Sequence, residues 1–106
     1  MKIFCLSIYN KNFDDLKKLN LIPVGLGDQP FDSKWLNDRG NDNISNKNQN
    51  FGEYTFHYNI WKNNVLDKTF NGWVGFCSYR RFWTVDNEKK ISNFKDLDSI
   101  VLKENK

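Results

Sequence analysis

At 106 residues the chain has room for one small domain, and 39% hydrophobic residues with four Trp and nine Phe call for a packed core, not disorder. Sixteen basic residues face thirteen acidic ones, interspersed, for a net charge of +3, so the basic clustering of a dedicated nucleic-acid module is missing. No apolar run approaches the roughly 20 residues of a membrane span. Residues 1–9 are too short for a secretory leader, so a cytoplasmic location is expected.

Residues 2–9 form a nearly continuous apolar run, which predicts a buried parallel strand. Residues 10–12 break it. Residues 13–19 are predicted as a short helix, with Asn12 as N-cap and Asp14 and Asp15 in the first turn. Residues 21–26 are predicted as a second strand. Pro23 lacks a ladder donor, so this strand is an edge or pairs on one side only near that residue. Gly27-Asp28-Gln29-Pro30 reads as a turn. Residues 31–50 are polar and weakly periodic. They are expected to form a long loop, functional or disordered, pinned at its start by Trp35 and Leu36.

Residues 51–66 carry the strongest helical pattern. Asn50 and Glu53 have capping-box spacing. Phe51, Tyr54, Tyr58, Trp61 and Val65 recur at intervals of three and four, widened by Phe56 and Ile60. This stripe is expected to pack against a sheet. Asn71 and Gly72 mark a turn, and residues 73–77 are predicted as a short buried strand that ends on Ser78-Tyr79-Arg80-Arg81. Residues 92–97 are helix-compatible, and residues 99–102 resemble the start of another strand. The alternation predicts an α/β domain with a mostly parallel sheet flanked by helices. Cys5 and Cys77 lie in apolar runs and read as two reduced, buried thiols, with a disulfide between adjacent strands as the alternative. Together with the single His57 they offer no zinc-binding spacing, so no metal site is expected.

Ligands of open α/β sheets bind beyond the carboxyl ends of the strands. Three polar segments fall at such ends: Tyr9-Asn10-Lys11, residues 38–48, and residues 78–81. Arg80 and Arg81 beside Tyr79 suit a phosphate or carboxylate. Neighbours on a strand face opposite ways, so one arginine is expected at the ligand and the other in a structural ion pair. Asp42, Asn43, Ser45 and Lys47 precede a helix start whose backbone amides suit a phosphate; a polar cap and turn is the alternative. Asp42 can also bond a ribose or sugar hydroxyl. Glu53 reads as a capping residue and His57 as a packed or surface one.

Three segments in series carry a resemblance: Gly40-Asn41-Asp42-Asn43-Ile44-Ser45-Asn46-Lys47-Asn48, then Gly52-Glu53-Tyr54-Thr55-Phe56-His57-Tyr58-Asn59-Ile60-Trp61-Lys62-Asn63, then Gly75-Phe76-Cys77-Ser78-Tyr79-Arg80-Arg81-Phe82-Trp83. Their order and spacing resemble a family of bacterial proteins of capsular and exopolysaccharide synthesis, known as a domain of unknown function. Its members are taken to be glycosyltransferases of GT-A-like fold. The resemblance implies that residues 1–106 are one truncated, Rossmann-like, donor-binding half of such an enzyme, because members run to about twice this length or more. It implies a nucleoside diphosphate sugar as donor and a glycan as acceptor. No nucleic acid is expected, and peripheral membrane association is compatible. The donor's phosphates are expected at Tyr9, Asp42, Asn43, Ser45, Lys47, Tyr79, Arg80 and Arg81. No cofactor is visible, no catalytic base can be assigned, and any divalent metal is expected in the missing part. The half alone is expected to be inactive.

The family motif often has His before its Tyr-Arg-Arg element. This chain has Ser78 there, so a proton-transfer role is not carried over. Many GT-A enzymes hold a metal with an Asp-x-Asp pair after a comparable strand, and none follows residues 73–77. Arg80 or Arg81 is therefore expected to supply charge to the donor diphosphate, beside a metal or in its place. The alternatives are a non-enzymatic glycan- or nucleic-acid-binding module using Trp35, Trp73, Trp83 and the basic pairs, or an inactive remnant with an exposed sheet edge.

Overall fold

Every side chain of the first strand is apolar from Ile3 to Leu6, and the structure accounts for that by burying both of its faces. In the computed structural model, which describes residues 1–84, strand β1 (Lys2–Ser7) lies inside a four-stranded parallel sheet. Strand β2 (Ile22–Gly25) lies on one side of it and strand β4 (Val74–Ser78) on the other. The short strand β3 (Leu36–Asn37) adds to β2, giving the order β3-β2-β1-β4. Ile3 and Cys5 of β1 pack with Leu16, Leu19, Leu21, Trp35 and Cys77 on one face. Phe4 and Leu6 pack with Val24, Leu26 and Phe56 on the other. Such two-sided burial is what a parallel sheet requires of its central strands. The α/β fold with a parallel sheet and flanking helices is thus the one expected. The helix and strand expected at residues 92–97 and 99–102 lie outside the described residues.

Helix α1 (Phe13–Lys18) covers the first face through Leu16. Asn12 precedes it with φ 66° and makes no side-chain cap bond, contrary to the expected N-cap; only its carbonyl joins the helix, accepting the Leu16 N–H at 3.0 Å. β1 ends at Ser7, two residues early. The Ser7 hydroxyl donates to the Tyr9 carbonyl at 2.9 Å and accepts the Tyr9 N–H at 3.0 Å, which curls the chain out of the ladder. Pro23 behaves as expected. It faces Cys5 of β1, while β3 reaches only Val24 and Gly25. β3 itself falls inside the expected loop; two exposed residues carry no apolar pattern to announce it. Trp35 pins that loop to the core as expected, at 3% exposure, whereas Leu36 is exposed.

The expected helix over 51–66 is two helices, α2 (Asn48–Phe51) and α3 (Tyr54–Asn63). Gly52 between them has φ 55° and ψ −130°, a conformation open to glycine and hostile to other residues. The break removes the capping box: no side-chain cap bond forms at Glu53. The inward face of α3 is only partly the one expected: Phe56 is buried and Ile60 packs against the core, as the widened stripe requires, but the rest of the stripe does not. Thr55, Phe56 and Asn59 are buried, while Phe51, Tyr54, Trp61 and Val65 are exposed. Phe56 sits between Phe4 and Phe76, with ring centroids 5.5 Å and 6.4 Å away. Two of the three buried positions are polar, so apolar periodicity finds only the Phe56 and Ile60 edge of the inward face.

From β1 the chain moves outward through β2 to β3, then returns past all three to lay β4 on the far side of β1. The order therefore reverses between β1 and β4, with α1 on one face and α3 on the other. That reversal is the place where open α/β sheets leave a crevice at their carboxyl ends.

Candidate functional site

Two side chains meet at this reversal. Tyr9, just past β1, presents an edge-to-face contact to Tyr79, just past β4, with centroids 5.3 Å apart. The Tyr79 N–H donates to the Leu6 carbonyl at 3.0 Å and so extends the sheet pairing. The Arg80 guanidinium lies over the Tyr79 ring at 5.2 Å. Arg80 and Arg81 are not on a strand. Ser78 and Arg81 exchange backbone hydrogen bonds of 3.0 and 3.1 Å and close a tight turn, which presents both arginines to solvent. The strand alternation expected to separate them does not apply. Among the described residues neither guanidinium is paired with a carboxylate, so the expected structural ion pair is not formed there.

Tyr9 also lines a cleft of about 410 Å³. Ile8 and Tyr9 line it just past β1, residues 26–29 just past β2, Asn46 from the turn before α2, and Asn48 and Gln49 from the start of α2. Among the described residues no lysine or arginine lines it, and Asp28 is the single carboxylate that does. The other described lining residues are Tyr9, the aliphatic Ile8 and Leu26, Gly27, and the amides of Gln29, Asn46, Asn48 and Gln49. Such a lining suits a neutral, planar, hydrogen-bonding group better than a phosphate.

Beneath the cleft, Asp38 is fully buried. Its carboxylate accepts the Gly27 N–H at 3.3 and 3.2 Å, the Ser45 hydroxyl at 2.7 Å and the Thr55 hydroxyl. It thereby joins the end of β2, the 3-10 turn Ser45–Lys47 and the start of α3. Asn48 donates to Thr55 Oγ1 at 3.1 Å and to the Gly52 carbonyl at 2.8 Å, fixing the cleft's α2 wall to the same hub. Nearby, Asn59 Oδ1 accepts the Gly40 N–H at 2.9 Å, and its Nδ2 donates to the Asn37 carbonyl at 3.1 Å. A Cβ on Gly40 would come within 2.3 Å of Asn63 Nδ2 and 2.4 Å of Asn59 Oδ1, so only glycine lets the segment lie this close to α3.

Residues 2–106 match the family described as Domain of unknown function (DUF4422). The chain belongs to that family. It has no match among curated proteins or among solved structures.

Within this member of the family, the predicted donor-binding residues divide into three groups. Tyr9, Tyr79 and Arg80 are brought together at the reversal. Asp42, Asn43 and Ser45 hold the connector in shape. The Tyr58 hydroxyl donates to Asp42 at 3.1 Å, and Asn63 donates to the Asp42 carbonyl at 2.9 Å. Asn43 donates to the Gly40 carbonyl at 2.8 Å and accepts the Ser45 N–H at 3.1 Å. Ser45 is spent on Asp38. Lys47 is exposed and Arg81 sits at the rim of its turn; neither lines the cleft. Desolvation, followed by the hydrogen bond to Asp42 and its charge, raises the Tyr58 phenol above its usual 10.0. This favours the protonated donor that the Asp42 contact needs.

Sequence reasoning placed Asp38, Asn46 and Asn48 in a candidate segment without singling them out, and missed Asp28, Gln29 and Gln49. In sequence they look like the solvated residues around them, and only the fold of the connector separates them. Cys5 and Cys77 are in register on β1 and β4, free and buried. Hydrogen bonding to Cys77, and then burial, push the Cys5 thiol up and keep it protonated. Among the described residues no three His, Cys, Asp or Glu side chains gather into a metal-binding group. No helix among them is long and apolar enough to cross a membrane.

Proposed function

We propose that this chain is the donor-binding part of a nucleotide-sugar-dependent glycosyltransferase of capsular or exopolysaccharide synthesis. The donor's nucleoside occupies the cleft between β1, β2 and α2. Its diphosphate runs past Tyr9 and Tyr79 to Arg80. The observation that carries this reading is the meeting of Tyr9, Tyr79 and Arg80 at the reversal of strand order, with Tyr9 also lining a cleft to which the described residues contribute amides and one carboxylate but no lysine or arginine. The two halves of a nucleoside diphosphate need opposite surroundings. The base and ribose need a ring, amides and a carboxylate for the diol, and the cleft has Tyr9, Asn46, Asn48, Gln49 and Asp28. The diphosphate needs fixed positive charge, above all as it departs and its charge grows. Arg80, exposed and steadied on the Tyr79 ring, offers that. The glycan acceptor, the base that activates it and any divalent metal would come from the rest of the enzyme.

Arg80→Ala is expected to weaken binding of a nucleoside diphosphate by about 10- to 100-fold, as loss of a charge-assisted hydrogen bond does. Arg81→Ala is expected to weaken it less, since its side chain has no ring to hold it toward the reversal. Calorimetric titration reads both; unchanged affinity in both variants defeats the proposal.

A second reading, a glycan-binding module, draws on the exposure of Trp73 (81%), Trp61 (68%) and Trp83 (57%). Trp35, at 3% exposure, cannot stack on a ligand as that alternative expected. Quenching of tryptophan fluorescence by a capsular oligosaccharide, with no response to nucleotides, would favour this reading over the first.

A further inference from the structure

We infer that Arg39 is a positioning residue that sets the nucleoside end of the cleft without touching the ligand. The inference rests on the donor-binding reading above and adds a residue to it.

Arg39 does not line the cleft. Its guanidinium instead reaches back along the chain to residues that do. Nε donates to the Gly27 carbonyl at 2.9 Å, and Nη2 donates to that same carbonyl and to the Gln29 carbonyl at 2.8 Å. Its own N–H is fixed by Asn37 Oδ1 at 2.8 Å. The preceding residue, Asp38, holds the Gly27 N–H. Two consecutive residues therefore grip Gly27 from its two ends, one by the N–H and one by the C=O. Asp28, the one carboxylate that the described residues bring to the cleft, is suspended between the two carbonyls that Arg39 clamps.

The pair divides its labour by burial. Asp38 is fully buried, so its loss strikes the core. Arg39 is exposed, and its loss frees one turn of the cleft rim while the core stays closed. A lysine is a poorer replacement, because an ammonium on a flexible stem lacks the rigid fork that sets Nε and Nη2 together on the Gly27 carbonyl while Nη2 reaches Gln29.

The test is calorimetric titration of the wild-type chain, Arg39→Ala and Arg39→Lys with uridine, adenosine, guanosine and cytidine diphosphates in turn, and with inorganic pyrophosphate. Melting temperatures are recorded alongside. In both variants the preferred nucleoside diphosphate is expected to bind about tenfold more weakly, as when a rim loses its hydrogen bonds to one side chain. Pyrophosphate affinity and melting temperature are expected to stay close to wild type. Unchanged nucleoside diphosphate affinity in Arg39→Ala overturns the assignment. So does a parallel loss of pyrophosphate affinity, which would make Arg39 a source of charge and not of position. Full recovery in Arg39→Lys overturns it as well. A wild-type chain that binds no nucleoside diphosphate more tightly than pyrophosphate overturns the donor reading itself, and Arg39's role with it; that failure shows in the wild type, before any variant is compared.

Discussion

Asp38→Ala is expected to lower the unfolding free energy by about 3 kcal/mol or more, out of the roughly 5–15 kcal/mol that holds a domain folded. The carboxylate is fully buried and takes hydrogen bonds from one backbone N–H and two hydroxyls. Truncation orphans all three donors at once, and each buried, unsatisfied group costs about 1–3 kcal/mol. Thr55 recovers part of its share, because its hydroxyl also lies 3.1 Å from the Gly52 carbonyl. Gly27 has no such second partner for its N–H. Asp38→Asn should fall between, since one acceptor oxygen survives while the new amide group faces donors. Urea denaturation of the three proteins reads the effect as a shift in midpoint at constant slope. A loss of less than about 1 kcal/mol in Asp38→Ala would mean that the hub is not formed.

Phe56→Ala is expected to cost about 3–5 kcal/mol, the usual range for emptying a buried aromatic site. Phe56 is fully buried against Phe4, Val24, Leu26 and Phe76. Trp61→Ala and Tyr54→Ala should change stability by about 0.5 kcal/mol or less, because both side chains stand in solvent at 68% and 65% exposure. The contrast decides which face of α3 meets the sheet. A large loss for Trp61→Ala with a small one for Phe56→Ala would place the aromatic stripe inward and contradict the fold described above. Thermal denaturation of the three variants reads it directly.

That pair of substitutions also marks where sequence reasoning stops. β1 was legible because a strand buried on both faces needs apolar residues at successive positions, and Ile3, Phe4, Cys5 and Leu6 supply them. Pro23 was legible because a missing N–H constrains pairing in any fold. α3 was legible as a helix, but of its inward face only Phe56 and Ile60 were. Thr55 and Asn59 turn inward to bond Asp38 and the backbone of residues 37–40, partners 17 to 22 positions away in the chain. Polar residues buried for distant partners look like surface residues until the fold brings those partners together. The same holds at the candidate site. The value of Arg80 could be suspected from its neighbours Tyr79 and Arg81. Its contact with the Tyr79 ring, and that ring's contact with Tyr9, depend on β1 and β4 being adjacent. Asp42, Asn43 and Ser45 drew notice as a polar run before a helix; their side chains fold the connector, and Asn46, Asn48 and Gln49 beyond them reach the cleft.

The most direct test of the central claim is to map backbone amide shifts in an isotope-labelled chain as a nucleoside diphosphate is added. If the donor binds at the reversal of strand order, the perturbed amides are those of Ile8, Tyr9, Gly27, Asp28, Gln29, Asn46, Asn48, Gln49, Tyr79 and Arg80, and Arg80→Ala quiets the last two most. Saturable shifts confined instead to the exposed side of α3 around Tyr54 and Trp61, or no saturable shifts with any nucleoside diphosphate, would contradict it.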